Sequence, residues 1–171
     1  MIFRYIEEKT ENLLKENDFF TPGFDVIKLA KKIGVQVLKK QFDEDVSGVF
    51  IMSEKTPIIS YNGNEDSKRI RFTVAHELGH YILHSNEQPF FLDKSPKVMY
   101  RNSASTTGEF LKEREANSFA ASLLMPSKLI ELELEAMSNE VSDIVKHLAK
   151  KFNVSEQAMS FRLSNLDYYI A

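Results

Sequence analysis

Apolar positions recur at helical spacing in some stretches of this 171-residue chain and in short β-rich runs in others. Residues 3–16 carry Ile6, Leu13 and Leu14 among charges, which predicts a surface helix. Thr21-Pro22-Gly23 punctuates the chain, and 24–33 predicts a second helix with Gly34 as its C-cap. Val35 to Leu38, Gly48 to Met52 and Pro57 to Tyr61 are short β-rich runs separated by turn-prone stretches, and they predict a small three-stranded antiparallel sheet. Turn chemistry at 61–67 then leads into a strongly patterned helix over 67–84, with Asp66 or Ser67 as N-cap. The stretch 86–107 has no period, holds Pro89, Pro96 and a Phe-Phe pair, and reads as a long loop forming a cleft wall or lid. Residues 109–125 are again helical and stop at Pro126, and 139–151 and 155–166 read as two further helices with Ser155 as the second N-cap. The expected fold is α+β: a small three-stranded antiparallel sheet on a mainly helical domain. We expect a single domain over 1–171, divided into N-terminal helices (1–34), the sheet (35–61), two long helices with their connecting loop (67–126) and a C-terminal helix pair (139–166).

Projecting 67–84 at about 100° per residue separates a broad apolar arc from a narrow polar stripe of Arg69, Thr73, His76, Glu77, His80 and His84. A helix apolar over most of its circumference belongs in the centre of a fold. The helix contains His76-Glu77-Leu78-Gly79-His80, the H-E-x-x-H pattern, and its stripe carries the two histidines and the glutamate. Residues four apart on a helix lie roughly 6 Å apart along the axis and about 40° around it, so two imidazoles can grip one metal ion. Zinc favours nitrogen ligands, and in catalytic sites it takes three protein ligands and leaves a position for water. Glu77 stands where a general base is needed, so His76 and His80 are candidate ligands and Glu77 the candidate catalytic residue. His84 is about 12 Å along the axis from His76, too far for one ion to take all three histidines; we place it behind the ligands or on the rim.

The third ligand comes from the helix over 109–125. Phe110, Ala116, Phe119, Ala120, Ala121, Leu123 and Leu124 form its apolar arc, and Glu113 points into the middle of that arc with Asn117 one turn on. A carboxylate aimed at a core costs several kcal/mol unless it is paired or bound to metal. Glu113 therefore needs a cation, and the two histidines need a third ligand. Pairing of Glu113 with Arg69 or Arg71 is the plainer alternative. Glu115 is a weaker ligand candidate, because it projects with Arg114, Ser118 and Ser122 towards solvent. Asn117 can hydrogen-bond a ligand histidine and orient its ring. Tyr100 or Arg101, in the long loop, are candidate donors to a developing oxyanion, and His147 reads as a surface residue.

Composition narrows the chemistry. The absence of cysteine leaves histidine and carboxylate as the only metal ligands and fits a reducing cytoplasm. The N-terminus lacks the apolar run of a signal peptide or membrane span. A net charge of -3 without a large basic block argues against direct nucleic-acid binding. The C-terminal helix pair has the outline of a DNA-binding helix-turn-helix, but its second helix offers only Arg162 as a cation, so packing is the better reading.

Arg71-Phe-Thr-Val-Ala-His-Glu-Leu-Gly-His80, followed by Glu113-Arg-Glu-Ala-Asn-Ser-Phe-Ala-Ala-Ser-Leu-Leu-Met-Pro126, resembles the paired signature of the ImmA/IrrE family of zinc metallopeptidases. The segment from Phe152 to Leu163 is similar to that family's closing segment, whereas the first 60 residues match only in layout. The resemblance implies a zincin-like fold with a central H-E-x-x-H helix, one zinc ion on His76, His80 and Glu113, and Glu77 as general base. It also implies a cytoplasmic endopeptidase whose protein substrate is a helix-turn-helix repressor or antitoxin and which switches on mobile-element or stress genes. A non-catalytic, zinc-stabilised regulator that binds and displaces a repressor is the alternative.

Overall fold

The computed structural model describes residues 4–94, 107–137 and 143–168. The chain divides into two compact units, Val26–Ala120 and a second built from Met1–Asp25 with Ala121–Ala171.

Helix α1 is Arg4–Glu16 and helix α2 is Val26–Lys32. Helix α2 is shorter than its apolar pattern predicts, and Gly34 follows it at φ +88°, a conformation that glycine adopts without strain. Strands β1 (Gln36–Lys40), β2 (Val46–Ser53) and β3 (Thr56–Asn62) fall where the three β-rich runs stand. The sheet, however, has four strands in the order β1-β3-β2-β4. It is also mixed: β2 runs antiparallel to both β3 and β4, but β1 pairs with β3 in parallel. Strand β4, Phe90–Lys94, lies inside the stretch read as a loop. Phe90 to Asp93 alternate out and in only if Asp93 is counted as inward-facing beside Phe91, which a hydrophobic pattern does not do.

Helix α3, Ser67–His84, is capped by Asp66, whose carboxylate accepts from the backbone N–H groups of Lys68 and Arg69. Every residue from Thr73 to His80 is buried. The polar stripe is thus as enclosed as the apolar arc, because β2, β3 and β4 all pack on this helix. Phe50 and Ile59 on the sheet, and Val74, Ala75 and Leu78 on α3, form the core there. A bulge in β2 at Val46–Gly48 interrupts the pairing with β4. Ser47 lies within it and accepts from Arg69 at 2.9 Å while donating to Glu65 at 2.7 Å. Helix α4 is Thr107–Leu124. Gly79 lets α3 and α4 approach closely: a Cβ there would lie 3.0 Å from the Cβ of Phe119 and 3.1 Å from the Cα of Ala116.

In the second unit, α5 (Ser127–Ala136) was not anticipated; α6 (Ile144–Phe152) and α7 (Glu156–Asn165) correspond to the expected C-terminal pair. The expected start of that pair, at 139–142, lies outside the described residues. Asn153, in the left-handed region at φ +54°, closes α6, and Ser155 caps α7. Arg162 is 3% exposed: it forms a bidentate pair with Glu7 at 2.6 and 2.9 Å and donates to the carbonyl of Met125 at 2.9 Å. The single cation that α7 offers is therefore internal, which supports the packing reading. Ser122, projected towards solvent, is buried and donates to Glu7 at 2.7 Å. Phe110, projected inward, is 58% exposed, since it sits in the first turn of α4.

Candidate metal centre

The one-turn spacing of His76 and His80 on α3 brings their Nε2 atoms to 3.0 Å from each other. Glu113, from α4, reaches both: its carboxylate oxygens lie 3.3 Å from Nε2 of His76 and 3.2 Å from Nε2 of His80. These three side chains form one group whose donor atoms all lie within 4.8 Å of one another. Of the two alternative partners for Glu113, Arg69 and Arg71, the first is engaged by Ser47, Glu65 and Asp93. The far side of His76 is held by Asn117, whose Oδ1 is 3.0 Å from Nδ1. An amide oxygen only accepts, so Nδ1 of His76 carries a hydrogen, and in the neutral ring Nε2 presents its lone pair to the cluster.

Glu77 is fully buried, and among the described residues neither of its carboxylate oxygens has a hydrogen-bond partner. It fits beneath β2 because residue 48 is glycine: a Cβ there would lie 2.5 Å from Cγ2 of Thr73 and 3.1 Å from Oε1 of Glu77. Burial pushes the Glu77 carboxyl well above the usual range, against the pull of His76 and with the added repulsion of Asp93 and Glu113. Burial opposes charge on His76, but the hydrogen bond it donates to Glu113 and the charge of Glu77 draw it up to about 9. Burial and the charge of His76 push His80 down to about 4 despite Glu113. Burial raises Glu113, yet bonds to both histidines hold it down at about 2. The cluster thus favours one positive charge among its acceptors. A donor set of two imidazole nitrogens and a carboxylate, with an unpartnered buried acid beside it, fits a divalent first-row ion such as zinc.

At this site one residue escaped the sequence reading, and another was read as a weaker ligand candidate facing solvent. Asp93, on β4, groups with His76 and Glu77 in a second set of donor atoms within 4.8 Å. Burial raises its carboxyl too, with His76 and Arg69 opposing. The signal for it was the alternation of Phe91 and Asp93 on a strand. The other is Glu115, which turns from solvent to meet His84, with Oε2 at 2.9 Å from Nε2. Phe91 stacks on the ring of His80 at 4.0 Å and 13°. Tyr100 and Arg101, the candidate oxyanion donors, lie outside the described residues, and His147 is exposed.

A helix with two histidines one turn apart, a glutamate from a second helix and a mixed sheet packed above them define a metallopeptidase-like α+β domain. The chain belongs to the peptidase M78 family, described as the IrrE N-terminal-like domain, whose model matches residues 30–164. Metallopeptidase ImmA of Bacillus subtilis (strain 168) is 28% identical over 103 residues, or 60% of this chain and 54% of that protein. A Mycobacterium tuberculosis transcriptional regulator shares the fold, with a TM-score of 0.64 and 16% identity over 95% of this chain and 47% of that one. The chain thus matches about half the length of each. No helix among the described residues is long and apolar enough to cross a membrane.

Proposed function

We propose that this protein is a zinc-dependent endopeptidase acting on an intracellular protein, in keeping with its family a helix-turn-helix repressor or antitoxin in the cytoplasm. The observation that carries the reading is the convergence of His76, His80 and Glu113 on one point with the unpartnered Glu77 alongside. His76, His80 and Glu113 would hold the ion. Zinc bound there supplies a Lewis acid that polarises a scissile carbonyl and lowers the pKa of water.

The remaining work falls to the protein. Glu77 takes a proton from the attacking water and returns it to the departing amine, from its buried place one residue beyond His76. Asn117 keeps the ring of His76 turned so that Nε2 faces the cluster. The enclosure of Thr73–His80 beneath the sheet keeps bulk water from the base.

The test is to incubate the zinc-loaded chain and its Glu77→Gln variant with repressors co-expressed from neighbouring genes, and to read cleavage by mass spectrometry. We expect wild type to cut and Glu77→Gln to bind zinc normally but lose at least about a hundredfold in rate. Cleavage by the variant at the wild-type rate removes Glu77 from the mechanism. A repressor recovered intact but displaced from its operator replaces the peptidase by a non-catalytic regulator.

A further inference from the structure

We infer that Glu115, acting through His84, is a positioning residue that fixes which nitrogen of His80 faces the metal site. The inference rests on the reading of His80 as a ligand. His76, His80 and His84 follow one another at four-residue intervals on one side of α3, and the last two are 1% and 4% exposed. Nδ1 of His80 lies 3.2 Å from Nδ1 of His84, and Nε2 of His84 lies 2.9 Å from Oε2 of Glu115.

The direction of each bond follows from the far end. A carboxylate oxygen accepts, so Nε2 of His84 donates to Glu115. A neutral imidazole with its hydrogen on Nε2 has a bare Nδ1, and that atom can only accept. One hydrogen lies between the two Nδ1 atoms, so it belongs to His80. Nε2 of His80 is left bare, and this is the atom 3.2 Å from Glu113 and 3.0 Å from Nε2 of His76.

Stacking cannot do this on its own. Phe91 holds the plane of the His80 ring, but turning the ring over in that plane exchanges nitrogen for carbon at no cost to the stack. Only a hydrogen bond distinguishes the two orientations, and His84 supplies the acceptor. Glu115 in turn keeps His84 in the accepting form; without it, His84 is free to move its hydrogen to Nδ1 and force the hydrogen of His80 towards the cluster. His76 has a simpler version of the device in Asn117. The two ligand histidines are thus set by different partners, one amide and one relayed carboxylate.

Two-bond proton–nitrogen spectra of the ¹⁵N-labelled full chain, with zinc and after chelation, read the hydrogen position on each ring. Zinc affinity is measured alongside by competition with a chromogenic chelator, for wild type, Glu115→Ala, Glu115→Gln and His84→Leu. We expect His84 to carry its hydrogen on Nε2 and His80 on Nδ1 in wild type. Glu115→Ala and His84→Leu should bind zinc about 10- to 100-fold more weakly. Glu115→Gln, whose carbonyl still accepts from His84, should recover most of the affinity, which a merely structural role would not require. A wild-type His84 with its hydrogen on Nδ1 overturns the inference without recourse to any variant. So do unchanged ring forms and unchanged affinity in Glu115→Ala. A wild type that takes up no zinc defeats the peptidase reading, and the ring forms of wild type against Glu115→Ala then decide the relay separately.

Discussion

Glu113 and Asn117 stand one turn apart on α4 and do different things to the same histidine. Glu113 approaches Nε2 of His76, on the side where metal would bind, and Asn117 holds Nδ1 from behind. Removing the first should delete a ligand; removing the second should only loosen a ring. We therefore expect Glu113→Ala to abolish zinc uptake at micromolar concentrations. Asn117→Ala should weaken it about tenfold, within the range seen when a group behind a ligand is lost. Asn117→Asp, which keeps the acceptor, should bind nearly as well as wild type. Isothermal titration with folding checked by circular dichroism measures all three, and equal losses in the alanine variants would dissolve the distinction. The site was legible at this scale where spacing is local. His76, Glu77 and His80 share one helix, and Glu113 and Asn117 announce themselves as polar groups on an apolar arc. Glu115 was not legible, because a wheel of α4 alone puts it towards solvent and knows nothing of His84 on a neighbouring helix.

Two glycines set the distances between elements, and each guards a different part of the site. Gly48 lets β2 pass over Thr73 and Glu77; Gly79 lets α3 meet α4 at Ala116 and Phe119, one turn beyond Glu113. Alanine at 79 gains about 1 kcal/mol in helix propensity, yet it must push apart atoms already at 3.0–3.2 Å that include backbone. Overpacking of this kind costs about 1–3 kcal/mol, so the packing term should win. We expect Gly79→Ala to lower stability by about 1 kcal/mol and to weaken zinc binding, since α4 carries Glu113. Gly48→Ala should instead spare zinc binding and reduce turnover, because the new methyl group displaces Glu77. Urea denaturation with zinc titration and a cleavage assay separates the two; a Gly48→Ala chain with full activity would show that Glu77 has room to spare. The sheet shows why elements are harder to read than residues. The runs for β1, β2 and β3 carry enough β-branched and apolar residues to be seen, whereas β4 mixes an inward acid with outward Phe90 and Leu92. The parallel pairing of β1 with β3 was equally hidden, since it depends on partners 22 residues apart in register, Gln36 with Ile58, and not on either run alone.

At the scale of the folded chain, the unit formed by Met1–Asp25 and Ala121–Ala171 is tied across its two segments by Glu7, Ser122 and Arg162. This tie makes stability depend on pH in a calculable direction. Burial alone would raise the Glu7 carboxyl, but hydrogen bonds and charge from Arg162, with help from Ser122 and Ser127, bring it below the ordinary glutamate value. A group held low in the folded state contributes stability that is complete above its unfolded value of about 4.3 and is lost as pH falls through the folded value. Wild type should therefore lose stability as pH drops from about 4.3 downward, in part through Glu7. Glu7→Gln removes that part. At pH 7 the variant should also be about 3 kcal/mol less stable, because Arg162 is left buried without its counter-charge. Urea midpoints for both chains between pH 7 and pH 3 test the claim: the difference should shrink steadily on the acid side, as wild type gives up what the variant never had. Two curves that stay parallel to pH 3 would mean that the bond between Glu7 and Arg162 holds these segments by shape and not by charge.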